Sequence, residues 1–237
     1  MIKKIDILGL QLDNYTVREA IMRVETYLGN NVLNTIESIS MRMLMESEQD
    51  EILKEVISSL DLAVIGEKEI LQATKLNTMQ RIREPEENDF FYEFFKRVER
   101  NRKSVFVLGE TTERVEWLKE RLQQDFSKLN LVGSYATETC VGDLDAVINE
   151  LNATTPDVIV SVIPSPQQEH FFFEHKDKMN ANIWYGIGDL AVKQKRSIWG
   201  KLMSIVHRGK LKNSIQNHKQ YSSGKVLPLD LFRTIET

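Results

Sequence analysis

The sequence predicts an α/β fold: a mostly parallel sheet with helices on both faces, Rossmann-like in type. Short β-branched and apolar runs alternate with segments of helical periodicity, the order that builds βαβ units. One run, Val158-Ile159-Val160-Ser161-Val162-Ile163, reads as a strand buried on both faces. Pro164 and Pro166 then stop it, because neither has an N–H for a ladder. Gln167, Gln168 and Glu169 follow at what reads as a helix start. Polar side chains are thus presented at a strand's carboxyl end, where open α/β sheets bind ligands. The expected division is an α/β domain over residues 1–190 and a basic helical appendage over 191–237.

Taken in order, Ile5 to Leu12 with its central Gly9 reads as an opening strand or hairpin. Thr16 and Glu19 have capping-box spacing, and Ala20, Ile21, Val24 and Leu28 follow at helical intervals up to Gly29. Residues 31–36 read as a strand, and Ser40 or Ser47 as the start of the next helix. Ile52, Leu53, Val56, Ile57 and Leu60 make one apolar helix face. Residues 61–66 read as a strand ending at Gly66, with Glu67 just past it. The polar interval 77–89, containing Pro85, is expected to be a loop near the site. The aromatic stripe Phe91, Phe94, Phe95 and Val98 is expected to pack in the core. A strand over 104–109, a helix capped by Thr111 or Thr112, a strand over 130–135 and a helix over 143–151 complete the alternation. After the 156–163 strand come a helix including 171–179 and a last strand over 181–188.

The 237 residues carry a net charge of -4 that is unevenly spread. Residues 1–189 hold 21 Lys+Arg against 33 Asp+Glu, whereas residues 190–229 hold nine basic residues and no acid. Ile198, Trp199, Leu202, Ile205, Val206 and Leu211 interleave with those cations. This is the composition of an interfacial membrane helix; a terminal helix docked on its own domain is the alternative. No apolar run approaches the ~18 residues that span a bilayer. The single Cys140 excludes an internal disulfide and a cysteine metal cluster. With no stretch of signal-peptide length near Met1, a reducing cytoplasm is the expected compartment.

Single residues carry little chemistry. His170 and His175 lack His-x-x-x-His spacing and read as solvated surface histidines. Cys140 has no evident base partner. Asp143 and Asp145 read as helix caps. Gly109-Glu110 lacks a dinucleotide fingerprint, and Gly186-Ile187-Gly188-Asp189 is a turn that lets backbone N–H groups approach a phosphate. The combination says more. Thr35 with Glu37, Glu67, Ser165 with Gln168 and Glu169, and Gly186 with Asp189 are all expected at strand ends. Adjacent strands would bring them to one crevice beside a basic, Trp-bearing tail. A soluble polar donor and a lipid-linked phosphate acceptor fit that pairing, which points to glycosyl transfer.

The order of motifs resembles the WecB/TagA/CpsF (WecG) glycosyltransferases of bacterial cell-surface polysaccharide synthesis. Ile5-Asp6-Ile7-Leu8-Gly9-Leu10 with Asp13-Asn14-Tyr15-Thr16 resembles the family's start, and Asp61-Leu62-Ala63-Val64 its "ADLVLPDG" strand. Val105 to Gly109 with Leu131 to Tyr135 resembles its central unit. Ser165-Pro166-Gln167-Gln168-Glu169 resembles its "GAPKQE" loop, and Trp184-Tyr185-Gly186-Ile187-Gly188 its "GVGG" strand end. The resemblance runs over about residues 5–212. It implies transfer of an N-acetylmannosamine-like sugar from a UDP-sugar to a polyprenyl-diphosphate-linked acceptor, without a metal or other cofactor. It also implies a membrane-associated basic appendage that supplies site arginines, here Arg196 and Arg208.

The chain departs from that pattern in places. Ile65-Gly66-Glu67 stands where the family has Pro-Asp-Gly, so the aspartate proposed as its base is Gly66 here. Thr35-Ile36-Glu37 replaces Thr-Pro-Asn, and Arg81-Ile82-Arg83-Glu84 alone represents "RVTG". The resemblance therefore assigns catalysis to Glu67 or Glu37 with Thr35. It assigns sugar and diphosphate to Thr35 with Arg81 or Arg83, and nucleotide to Gln168 and Glu169; Ser165, Gly186, Gly188 and Asp189 are expected as further substrate-binding positions, with Asp189 too early to match the aspartate that follows "GVGG" in the family. The expected partners are the UDP-sugar, the lipid-linked acceptor and an anionic membrane surface met by residues 193–225, with no nucleic acid and a homo-oligomer possible. The alternative is a non-catalytic relative that keeps the fold and binds a nucleotide sugar or a partner.

Overall fold

A six-stranded parallel sheet carries the chain. The computed structural model describes residues 4–189, so the appendage expected over 191–237, with Arg196, Arg208 and the membrane-facing residues 193–225, lies outside the described residues. The sheet strands are β3 (Asn34–Ile39), β4 (Leu62–Ile65), β5 (Ser104–Gly109), β6 (Asn130–Ala136), β7 (Val158–Val162) and β8 (Ile183–Gly186). Their order is β4-β3-β8-β7-β5-β6. Before them, β1 (Lys4–Ile7) and β2 (Leu10–Asp13) form an antiparallel hairpin whose turn residues Leu8 and Gly9 both have positive φ, as a tight two-residue turn requires.

Helices cover both faces. One face carries α2 (Met41–Glu46), α3 (Glu51–Ser59), α8 (Asp145–Thr154) and α9 (Gln167–His175), packed around Ile39, Phe106, Leu108, Ile159 and Trp184. The other carries α1 (Val17–Leu28), α6 (Asp89–Arg100) and α7 (Thr112–Asp125), packed around Ile36, Val105, Val107, Val160 and Tyr185. Phe94, Phe95 and Val98 of the α6 stripe are core, with Phe94 4.7 Å from the Tyr185 ring and Phe95 fully buried, whereas Phe91 is partly buried and faces a cleft. Each such buried phenyl ring contributes about 1.5–3 kcal/mol. Connections after β5 and β7 leave in opposite directions along the sheet, toward β6 and β8 respectively. The reversal falls between β5 and β7, whereas the crevice at the carboxyl edge is lined by β3, β4 and the end of β8.

Local signals act as their chemistry dictates. Thr16 caps α1 in a full capping box with Glu19, and Thr111 caps α7. Ser40 caps α2, whereas Ser47 ends it. At the amino edge, Asp157 accepts from the Ser104 N–H and hydroxyl and pairs with Lys103, tying β5 to β7.

Two expectations are corrected. Residues 77–89 are mainly helical: α4 (Lys68–Ala73) is followed by α5 (Met79–Glu86). Thr78 caps α5, and the i,i+3 and i,i+4 pairs Arg81–Glu84 and Arg83–Glu87 brace it. Pro85 sits in its last turn, where it forfeits a single helix bond. The strand expected over 31–36 is β3, displaced three residues toward the carboxyl end. Asn30, Asn34 and Asn182 form an amide cluster that holds Asn31 and Val32 in a turn before it.

Candidate functional site

The site grows from the α9 end of the crevice. Helix α9 begins directly after β7 and the Ser165-Pro166 turn, and this buries Gln168 and Glu169 at 1% and 0% exposure. Gln168 Nε2 donates to Glu169 Oε1 at 3.1 Å. Glu37 comes from the middle of β3, directly across from Gly186 on β8, and Gly186 in turn lies opposite Ser161 on β7. Its side chain points to the α9 face, where Trp184 Nε1 reaches Glu37 Oε1 at 3.5 Å. A Cβ on Gly186 would lie 2.4 Å from Gln168 Nε2, so glycine is what admits the amide.

This cluster is acceptor-rich. Glu37 Oε2, Gln168 Oε1 and Glu169 Oε2 are buried oxygens that meet no hydrogen-bond donor among the described residues. Burial, then the charge of Glu169, pushes the Glu37 carboxyl well above its ordinary range. Burial also raises Glu169, while the nearby Ser165 hydroxyl, its own N–H and the Gln168 amide pull it back. Both carboxyls are thus pushed toward the neutral form, Glu37 more strongly, as expected for two carboxyl groups at one desolvated site. Gln168 and Glu169 form the floor of a small pocket rimmed by Ser38, Ser40, Arg42, Ile187, Gly188 and Asp189.

A larger cleft lies on the α1/α6 face. It encloses about 910 Å³ counting the space at its mouth, and is walled by Ser38, Tyr185, Ile187 and residues 62–66 from the sheet. Arg81, Glu84, Pro85 and Asn88 form its rim from α5 and the turn after it. Phe91, Trp117 and Arg121 form an aromatic and cationic wall. The Arg121 guanidinium lies 5.8 Å from the Phe91 and Trp117 rings and donates to the Tyr92 hydroxyl at 2.7 Å. Ser38 and Ile187 belong to both hollows. Cleft and pocket are thus neighbours across one strand edge.

The structure redistributes the residues expected here. Ser165, Gln168, Glu169, Gly188 and Asp189 gather at the pocket, and Arg81 lines the cleft. Thr35 does not join them. With β3 displaced, Thr35 lies at its amino end, exchanging hydrogen bonds with Asp61 at 2.8–3.1 Å. Ser38 and Ser40 occupy the carboxyl end instead. Glu37 reaches the site from beneath, as a fully buried group rather than a surface carboxylate. Gly66 lines the cleft, but the Glu67 carboxylate turns to the start of α2, where Oε2 accepts from the Met41 N–H at 2.9 Å. Arg81 is held by Glu84, by the Tyr15 carbonyl at 2.5 Å and by Asn14 at 3.2 Å. Arg83 faces outward and pairs with Glu87 at 2.8 Å. Gly186 makes room for Gln168 rather than facing a ligand, and Asp189 faces two arginines. His175 is buried beside Phe171, not solvated, and His170 pairs with Asp50 at 2.7 Å.

Ser38, Arg42, Trp117 and Arg121 had no local signal in the sequence. Each is an ordinary residue of a helix or strand until the fold sets it beside the crevice. No group of three or more His, Cys, Asp or Glu among the described residues is arranged to hold a metal ion. None of the described helices is long and apolar enough to cross a membrane.

Comparison with known proteins agrees with this architecture. Residues 5–191 match the model of the glycosyl transferase WecG/TagA/CpsF family. An N-acetylglucosaminyldiphosphoundecaprenol N-acetyl-beta-D-mannosaminyltransferase of Staphylococcus aureus (strain NCTC 8325 / PS 47) is 24% identical over 194 residues, covering 78% of this chain and 73% of its own. The protein of the same name from strain MRSA252 is 23% identical over the same shares. A match across the whole sheet and both of its hollows means that this chain belongs to the WecG/TagA/CpsF family of glycosyl transferases.

Proposed function

We propose that this protein transfers an N-acetylmannosamine-like N-acetylhexosamine from a UDP-sugar to a polyprenyl-diphosphate-linked sugar, in cell-surface polysaccharide or teichoic acid synthesis. The observation that carries this reading is the shared Ser38–Ile187 wall. It joins a cleft with an aromatic and cationic wall to a pocket floored by Gln168 and Glu169. Buried oxygens without donors suit a ligand rich in hydroxyl and amide N–H groups. The aromatic and guanidinium wall of Phe91, Trp117 and Arg121 suits a planar base or a sugar face. The names of the S. aureus relatives specify the acceptor class and the sugar.

In this reading the acceptor hydroxyl attacks the anomeric carbon, the bond to the diphosphate breaks, and UDP leaves. A base must take the hydroxyl proton, and Glu67, next to the cleft-lining Gly66, is the carboxylate we assign. Protein cations, not a metal, balance the leaving diphosphate, and the protein works at the inner face of the membrane through its basic residues 193–225. Turnover of UDP-N-acetylmannosamine with a short-chain polyprenyl-diphosphate-N-acetylglucosamine acceptor tests this, and EDTA should leave the rate unchanged.

One observation favours a second reading, binding without transfer: the cleft wall carries Gly66, and the neighbouring Glu67 is engaged with Met41. UDP binding with no turnover of any N-acetylhexosamine donor would select it.

A further inference from the structure

We propose that Arg42 and Arg114 form a clamp for a diphosphate ester, and that Asp189 occupies the clamp as an internal stand-in for that anion. The inference rests on the family's diphosphate chemistry as read above, and it names residues that the sequence did not mark.

Asp189 follows Gly188, whose φ of 55° turns the chain sharply after β8. Its carboxylate is divided between two helices on opposite faces of the sheet. Oδ1 lies 2.9 Å from an Arg114 terminal nitrogen on α7, and Oδ2 lies 3.6 Å from Arg42 on α2. The two guanidinium groups therefore straddle the carboxyl edge, at the mouth of the Gln168–Glu169 pocket that Arg42 and Asp189 both line.

Arg114 is held more firmly than the anion. Arg114 is 19% exposed, and its Nε donates to the Val162 carbonyl at 2.8 Å. Arg42 is oriented by Glu46 one turn along, at 2.7 Å. Asp189 is 47% exposed, and a half-exposed carboxylate of this kind is weakly held. A diphosphate offers more negative charge and more acceptor oxygens than one carboxylate, and guanidinium groups match its oxygens in pairs. Displacing Asp189 also frees the residue that leads directly into the basic segment.

Two sources share this chemistry, the nucleoside diphosphate of the donor and the lipid diphosphate of the acceptor. Calorimetric titration of the full chain with UDP, uridine and farnesyl diphosphate separates them. We expect Arg42→Ala to weaken the diphosphate ligand about tenfold, the loss of one charge-assisted contact, with uridine binding unchanged. Asp189→Asn should tighten the same ligand severalfold. Arg42 is half-exposed, so its variant should melt as the wild type does.

Wild-type affinity for UDP and farnesyl diphosphate in both variants would overturn the clamp and leave the transferase reading standing. An Asp189→Asn protein that binds diphosphates more weakly would overturn the stand-in role. Arg42-dependent binding of farnesyl diphosphate alone would keep the clamp and assign it to the acceptor. No binding of either diphosphate by the wild type would remove both the clamp and the UDP-sugar reading.

Discussion

Gly186 and Gln168 are in such close contact that a Cβ on the glycine would sit 2.4 Å from the amide nitrogen and 2.9 Å from Glu37. The three residues belong to β8, α9 and β3, so one hydrogen atom in place of a methyl group sets the distance between three elements. Gly186→Ala must push Gln168 toward the pocket or part β3 from β8. We expect a loss of about 1–3 kcal/mol, the usual penalty of overpacking, read as a lower thermal midpoint. We also expect weaker UDP binding, because the displaced amide narrows the pocket. A variant that melts and binds as wild type would show that the sheet yields here without effect.

Glu37 makes stability depend on pH with a definite sign. Burial and the Glu169 charge raise its pKa in the folded protein above the unfolded value. Its contribution is therefore fully present below the ordinary carboxylate range and is lost as pH rises through the raised value. Glu37→Gln keeps the shape and stays neutral. Its urea midpoint should fall less than that of the wild type as pH is raised from 5 to 9 by about one unit per step. Comparing the two proteins cancels the opposite trend of Asp50, Asp145 and Asp157, whose lowered values remove stability on acidification. Parallel curves would mean that the Glu37 carboxyl is not raised in the folded protein.

Glu67 tests the chemistry. If it removes the acceptor proton, Glu67→Gln should lower kcat by about 10²-fold or more with little change in KM. The same substitution weakens the anchor on the Met41 N–H, a capping contact of about 1 kcal/mol. The melting shift should therefore be small beside the rate loss. A changed melting point with unchanged turnover would leave Glu67 a helix cap alone.

Thr35 shows where a sequence reading slips, and why. Asn31 to Ile36 has strand composition, but the amide cluster of Asn30, Asn34 and Asn182 takes its first residues into a turn. Nothing in the local pattern announces that long-range contact, and a three-residue displacement exchanges the two ends of a short strand. Thr35→Val should cost about 1 kcal/mol, through its lost bonds with Asp61, and leave turnover within twofold. A large loss of kcat would return Thr35 to the site.

Features fixed by short-range chemistry were legible: the Thr16–Glu19 box, the Thr111 cap, the glycine turn of the hairpin and the Gln168–Glu169 loop. The α5 helix was not, because Pro85 masked two ion pairs that only help once a helix exists. Arg42 and Arg114 were not, because what distinguishes them is Asp189, 147 and 75 residues away in the chain. Glu37 was legible as a carboxylate at the site but not as a buried one. Its burial depends on Trp184 and α9 closing over it.

The basic segment offers a prediction that needs only charge and salt. Residues 190–229 hold nine basic residues and no acid, and each cation near an anionic bilayer contributes about 1 kcal/mol. Engaging half of them would hold the full chain on vesicles containing phosphatidylglycerol at low salt. Screening shortens the reach of that attraction to about 3 Å at 1 M salt, so high salt should release the protein. Neutral vesicles should bind it weakly under both conditions, since Trp199 and the few aliphatic residues must then act alone. In a flotation assay, no binding to anionic vesicles even at low salt would instead indicate that this segment docks on the acidic body formed by residues 1–189, and binding that ignores both lipid charge and salt would overturn the charge-driven reading.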